Sequence, residues 1–152
     1  MIKNKYLHKE RTGLILFAHG SRNPAWRKPF DRVLKDVMKR GECQAILAFG
    51  EFMSPGMAEA AQMLAAQGVK KAVIVPLFLG GGAHVRGDVP KLAAQARVAS
   101  GLQLRVAKTI GEDAAVLNAI ADYSIAAARP PRATRATRAT PAATISARRK
   151  PS

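Results

Sequence analysis

Short apolar runs alternate along this chain with longer stretches in which apolar residues recur every three or four positions. The runs are Thr12 to Ala18, Gln44 to Phe49, Val69 to Leu79 and Leu102 to Ala107. The first three are nearly continuous, as in strands covered on both faces, and the fourth alternates like a strand. Between them the spacing predicts helices from about Pro24 to Lys39, from Ser54 to about Gln67, from Asp88 to about Ser100 and from Glu112 to about Ala127. Phe30, Val33, Leu34, Val37 and Met38 form the apolar stripe of the first helix, and Met57, Ala60, Ala61 and Leu64 that of the second. Pro29 belongs either in the first turn of a helix that starts late or at a kink in one that starts early. Ser54 followed by Pro55 reads as an N-cap and first helical residue, and Asp88 reads as the cap of a helix with Val89 and Pro90 in its first turn. Acidic residues open the last helix, where the helix dipole favours them. Gly41, Gly68 and Gly101 stand where the first three helices stop. The order β-α-β-α-β-α-β-α predicts an α/β fold: an open, mostly parallel four-stranded sheet with right-handed crossovers and helices on both faces.

The 152 residues suffice for one domain with a real core. No apolar run approaches the 20 or so residues of a membrane span, and no secretory signal is read in the basic opening segment. The single Cys43 cannot form an internal disulfide, which suits a reducing cytoplasm, and it reads as a small buried hydrophobe. Past Arg129 the chain turns to Arg-Ala-Thr repeats and prolines without bulky apolar residues, a composition that cannot offset the entropy of ordering. The expected organisation is a basic extension over 1–11, an α/β domain over 12–128 and a disordered basic tail over 129–152.

The net charge of +15 raises the question of nucleic acid, and its distribution answers it. The tail carries +7 and the first eleven residues +3, so residues 12–128 hold the remaining +5. No basic face interleaved with aromatics appears in that part, and a specific nucleic-acid partner is not expected; a basic tail touches anions only generically.

The chemistry concentrates in Val73 to Pro90, where a strand passes through Gly80, Gly81 and Gly82, presents His84 and enters a helix. The glycine run matches neither the dinucleotide fingerprint nor the P-loop. His19 follows the first strand directly, Glu51 lies two residues beyond the second, and His84 lies five beyond the third. Parallel strands bring all three to one sheet edge, where open α/β sheets bind ligands. Two imidazoles and a carboxylate with open coordination positions suit a divalent first-row metal.

Three segments carry a resemblance: Leu16 to Arg22 (LFAHGSR), Ala48 to Pro55 (AFGEFMSP) and Val75 to Pro90 (VPLFLGGGAHVRGDVP). Together they resemble the signature segments of the sirohydrochlorin chelatases, the ATP-independent class II cobaltochelatases and ferrochelatases, over roughly residues 12–125. The resemblance implies a chelatase-like, flavodoxin-like topology and a short single-domain member working as a homodimer. It also implies insertion of Co²⁺ or Fe²⁺ into a sirohydrochlorin-type tetrapyrrole, for cobalamin or sirohaem, with Ni²⁺ also accommodated and no cofactor beyond the substrate metal. His19, His84 and Glu51 would be the catalytic and metal-binding residues. Ser21, Arg22, Gly80, Gly81, Gly82, Ala83 and Arg86 would hold the carboxylate-rich ring. The chemistry agrees: metal insertion expels two pyrrole protons, and a neutral imidazole is a fitting acceptor. Phe52, Met53, Phe78 and Trp26 are the large apolar side chains near the loops, read first as packing residues. Two other functions compete: a non-catalytic metal or tetrapyrrole carrier with the same site, and a flavodoxin-like domain that binds an anion at the glycine loop.

Overall fold

A computed structural model describes residues 12–129, except for the side chains of residues 83–86. The basic segment 1–11 and residues 130–152, which make up nearly all of the tail, lie outside the described residues. Four strands, β1 (Gly13–Ala18), β2 (Gln44–Phe49), β3 (Lys71–Pro76) and β4 (Gln103–Val106), form one sheet in the order β2-β1-β3-β4. Every neighbouring pair is parallel, with Ala18 opposite Phe49, Phe17 opposite Pro76 and Ile74 opposite Val106. Helices α1 (Lys28–Arg40), α2 (Met57–Ala66), α3 (Ala83–Ser100) and α4 (Ala114–Ala127) alternate with the strands. The α/β class, the four strands and their helices are therefore those predicted, and the sheet is wholly parallel.

Side-chain alternation along β1 divides the core. Ile15 and Phe17 join Ala48, Ala72, Ile74 and Leu104 beneath α2 and α3, whose Met57, Ala60, Ala61, Leu64, Ala93 and Ala96 are buried there. Leu16 and Ala18 point the other way and join Leu47 and Phe49 beneath Trp26, Phe30 and Leu34. Each central strand thus needs apolar residues at successive positions, which explains the continuous runs in the sequence.

Several boundaries differ from those predicted, each for a local reason. A 3-10 turn over Pro24–Arg27 precedes α1, so Pro29 falls in the first turn, where a missing N–H costs no helical bond. Ser54 and Pro55 do not open α2: the Pro55 carbonyl accepts a hydrogen bond from the Phe49 N–H at 2.9 Å, their peptide bond is cis, and Gly56 is the N-cap. Strand β3 stops at Pro76 rather than Leu79; beyond it the Leu77 N–H bonds the Phe17 carbonyl at 2.8 Å and the Gly111 N–H reaches the Phe78 carbonyl at 3.1 Å. Asp88 is not an N-cap, because α3 starts at Ala83 with Gly82 as its cap and carries Pro90 inside it. Asp113 caps α4 instead, its carboxylate accepting from the N–H groups of Ala115 and Val116 at 2.9 and 3.2 Å, and Glu112 belongs to a preceding 3-10 turn. Cys43 precedes β2 and is only half-buried. Gly41 and Gly101 close α1 and α3 with φ of 68° and 70°, as expected of residues free to adopt the left-handed region.

Leu64 is fully buried between sheet and helices, whereas Val98 on α3 is 89% exposed. Leu64→Ala is expected to cost about 2–5 kcal/mol in urea denaturation, and Val98→Ser under about 0.5 kcal/mol. Equal effects would contradict the packing described.

Candidate active site

The carboxyl ends of β1 and β2 are stitched together beyond the strands themselves. The His19 carbonyl accepts hydrogen bonds from the N–H groups of Gly50 at 3.1 Å and Glu51 at 3.0 Å. This extra rung sets the two exit loops in contact. Gly20 makes the contact feasible: its φ is +99°, and a Cβ there would overlap the Glu51 carbonyl oxygen.

On this frame the His19 Nδ1 lies 3.2 Å from Glu51 Oε1, with both side chains about half-exposed or more. The same nitrogen is 3.4 Å from the Gly20 carbonyl oxygen. Both neighbours of Nδ1 are acceptors, so the neutral imidazole carries its proton there and donates it. That tautomer leaves the Nε2 lone pair open toward solvent. A carboxylate behind a histidine orients the ring, whether the free nitrogen takes a proton or a metal.

The pair borders a cleft of about 610 Å³. Phe17, Phe78, Val89 and Leu92 give it apolar walls, with Phe17 and Phe78 packed edge to face at 6.0 Å between ring centroids. Asp88, Lys91 and Gln95 line it from α3, and His19, Gly50 and Glu51 line it from the exits of β1 and β2. The cleft therefore has an apolar interior with acids, one lysine and one imidazole at its edges. Phe78 was expected among the packing residues and serves as both wall and core.

The other anticipated residues fall differently. His84 is not in a loop: it is the second residue of α3, eight residues past the end of β3. Its side chain lies outside the described residues, as do those of Ala83 and Arg86. Ser21 and Arg22 do not line the cleft; the Ser21 hydroxyl accepts from the Asn23 N–H at 3.1 Å, and the Arg22 guanidinium lies 4.6 Å from the centroid of the Phe52 ring. Gly80, Gly81 and Gly82 are exposed. A Cβ on Gly80 or Gly82 would meet no atom of the chain within 4 Å, so the fold does not require glycine at either position. Among the described residues no three His, Cys, Asp or Glu side chains converge as a metal site. Sequence reasoning missed Lys91 and Gln95 altogether. Their signal was the spacing 84, 88, 91, 95, a single helix face that becomes visible only once α3 begins before His84.

A scan of known families matches the CbiX model to residues 13–127. The chain belongs to the CbiX family. Among its relatives is the sirohydrochlorin cobaltochelatase of Sulfurisphaera tokodaii, 32% identical over 107 residues that span 66% of this chain and 81% of that protein. The sirohydrochlorin cobaltochelatase of Methanopyrus kandleri is 35% identical over 80 residues, covering 52% of this chain and only 56% of its own length. In three dimensions the chain is similar to a cobalamin (vitamin B12) biosynthesis CbiX protein from Marinobacter aquaeolei, with a TM-score of 0.70, 30% identity and coverage of 76% of this chain and 96% of that one. The cobalt complex of the chelatase SirB from Bacillus subtilis shares the fold at a TM-score of 0.67 and 22% identity, over 76% of this chain and 50% of the longer SirB chain. These likenesses agree with the resemblance carried by the three sequence segments and with the four-stranded parallel sheet described above.

The Gly20 contact yields a prediction. Gly20→Ala is expected to lose about 2–4 kcal/mol in urea denaturation, because both the backbone angle and the Glu51 carbonyl oppose a side chain. Gly82→Ala, at an ordinary φ of −64°, is expected to stay within about 0.5 kcal/mol of the parent.

Proposed function

We propose that this CbiX protein inserts a divalent metal, Co²⁺ or Fe²⁺, into sirohydrochlorin without ATP. The observation that carries the reading is the His19 Nδ1 held 3.2 Å from Glu51 Oε1 on the edge of an apolar cleft, in a chain whose relatives include sirohydrochlorin cobaltochelatases. The metal is a substrate, and nothing in the His/Glu donor set selects Co²⁺ over Fe²⁺ or Ni²⁺.

In this mechanism the ring enters the cleft with its flat apolar surface against Phe17, Phe78 and Leu92. His19 and Glu51 meet the metal at the rim together with His84, which α3 places one turn before Asp88. Two pyrrole N–H protons must leave as M²⁺ enters, so the charge of the ring core balances. As the metal passes to the ring, the nitrogen of His19 that it vacates accepts one of them and solvent water at the open edge of the cleft takes the other, while Glu51 steadies the imidazolium that forms. Holding ring and metal in one cleft makes the transfer effectively intramolecular. The glycines at 80–82, of which Gly80 and Gly82 are not required by the fold, keep the approach to the ring clear and offer backbone N–H groups to its carboxylates. Residues 12–128 are the working unit in this reading, the flanking basic segments are additions to it, and the reaction belongs in the cytoplasm, in keeping with the lone cysteine.

The partner we propose is a second copy of the chain. Helix α4 has no buried residue, packs chiefly on the short turn at Ile110–Glu112, and exposes Leu117, Ile120, Tyr123 and Ile125. A helix that apolar has the character of one covered in an assembly. The SirB chain, about half of which the present fold spans, has the length for two such units.

Adding the protein below stoichiometry to sirohydrochlorin and Co²⁺ is expected to drive complete conversion of the absorption spectrum. A plateau at one ring per chain would mark a carrier rather than an enzyme. His19→Ala and His84→Ala are each expected to lower the rate about 100-fold or more, and Glu51→Gln about 10-fold. In sedimentation velocity the parent is expected to run as a dimer and the Leu117→Glu, Ile120→Glu double variant as a monomer; a monomeric parent would remove the assembly from the proposal.

A further inference from the structure

We propose that Lys91 on α3 is the cationic side chain that binds a carboxylate of the ring substrate. The inference rests on the chelatase reading for the identity of the ring, and on the geometry of the cleft for the residue. Lys91 is the only cationic side chain among the described residues that line the cleft. It makes no ion pair or hydrogen bond with another described residue, so no partner has to be given up when an anion arrives. The other basic groups near the β1 exit are committed elsewhere: Arg22 lies over Phe52, and Arg27 is paired with Asp31 at 3.0 Å.

The charges around the cleft also set the direction in which the ring lies. Glu51 lines it as an acid; its charge attracts a metal cation and repels the ring's carboxylates. Lys91 stands one helical turn beyond Asp88, with Gln95 a turn further along the same face. One peripheral carboxylate held at Lys91 anchors an edge of the ring on α3 and leaves the nitrogen-bearing centre within the cleft that His19 and Glu51 border. A lysine suits the task because its ammonium sits on a flexible stem with three rotatable donors and can follow carboxylates carried on freely turning arms. Glutamine adds an amide donor without adding charge.

The test separates binding from chemistry. Metal-free sirohydrochlorin is titrated into the full chain by fluorescence, and Co²⁺ insertion is followed separately. Lys91→Met is expected to weaken ring binding and raise the ring's KM about 5- to 20-fold, with kcat within about twofold of the parent. Lys91→Arg is expected to restore most of the affinity, and the salt dependence of binding is expected to flatten in Lys91→Met. Because Lys91 is exposed, thermal melting of both variants should match the parent. Unchanged binding and KM in Lys91→Met would overturn the proposal, as would a loss confined to kcat. A parent chain that binds the ring but inserts no metal would sink the chelatase reading while leaving Lys91 to be judged by binding. A parent that binds no ring would sink both.

Discussion

The site depends on one carbonyl oxygen. His19 uses its backbone C=O to accept the N–H groups of Gly50 and Glu51, so the β1–β2 ladder continues past the strands into the loops that carry the chemistry. A parallel pair would otherwise release its two chains into separate turns. Here the extra rung holds the imidazole and the carboxylate at hydrogen-bond distance, and the absence of a Cβ at Gly20 lets the two backbones close. Local backbone economy and active-site geometry are the same interaction seen from two sides.

That interaction has force only because β1 is central. Its residues alternate between two apolar layers, Ile15 and Phe17 toward α2 and α3, Leu16 and Ala18 toward α1. A strand held on both faces and both edges has little freedom to slip, since a shift of one residue would exchange the two layers. The rigidity passes to the residues just beyond it. Phe17 shows this directly: it belongs to the core, bonds Leu77 through its carbonyl, and walls the cleft with Phe78. The cleft is an extension of the hydrophobic core to the edge of the sheet.

The two sides of the cleft divide the chemistry. Backbone-locked loops present His19 and Glu51, groups suited to protons and metal. Helix α3 presents Asp88, Lys91 and Gln95, groups suited to orienting a charged, flat molecule.

The amino-acid sequence by itself determined the order and kind of the elements, the glycines that end α1 and α3, and the arrival of His19 and Glu51 at one edge. Those features follow from periodicity and local backbone preference, which are properties of neighbouring residues. The resemblance of three segments to the chelatases was legible for the same reason. Tertiary structure alone decided where β3 ends, because Leu77 and Phe78 find partners in Phe17 and Gly111, distant in the chain. It alone decided that Ser54 and Pro55 form a turn, since the Pro55 carbonyl is taken by Phe49. It decided too that α3 begins at Ala83, turning Asp88 from an expected cap into a cleft residue and bringing Lys91 and Gln95 beside it. The end of β3 shows the reason most plainly: its hydrogen-bond partners are supplied by residues far away in sequence, and a pattern read along the chain holds no record of who stands across from whom.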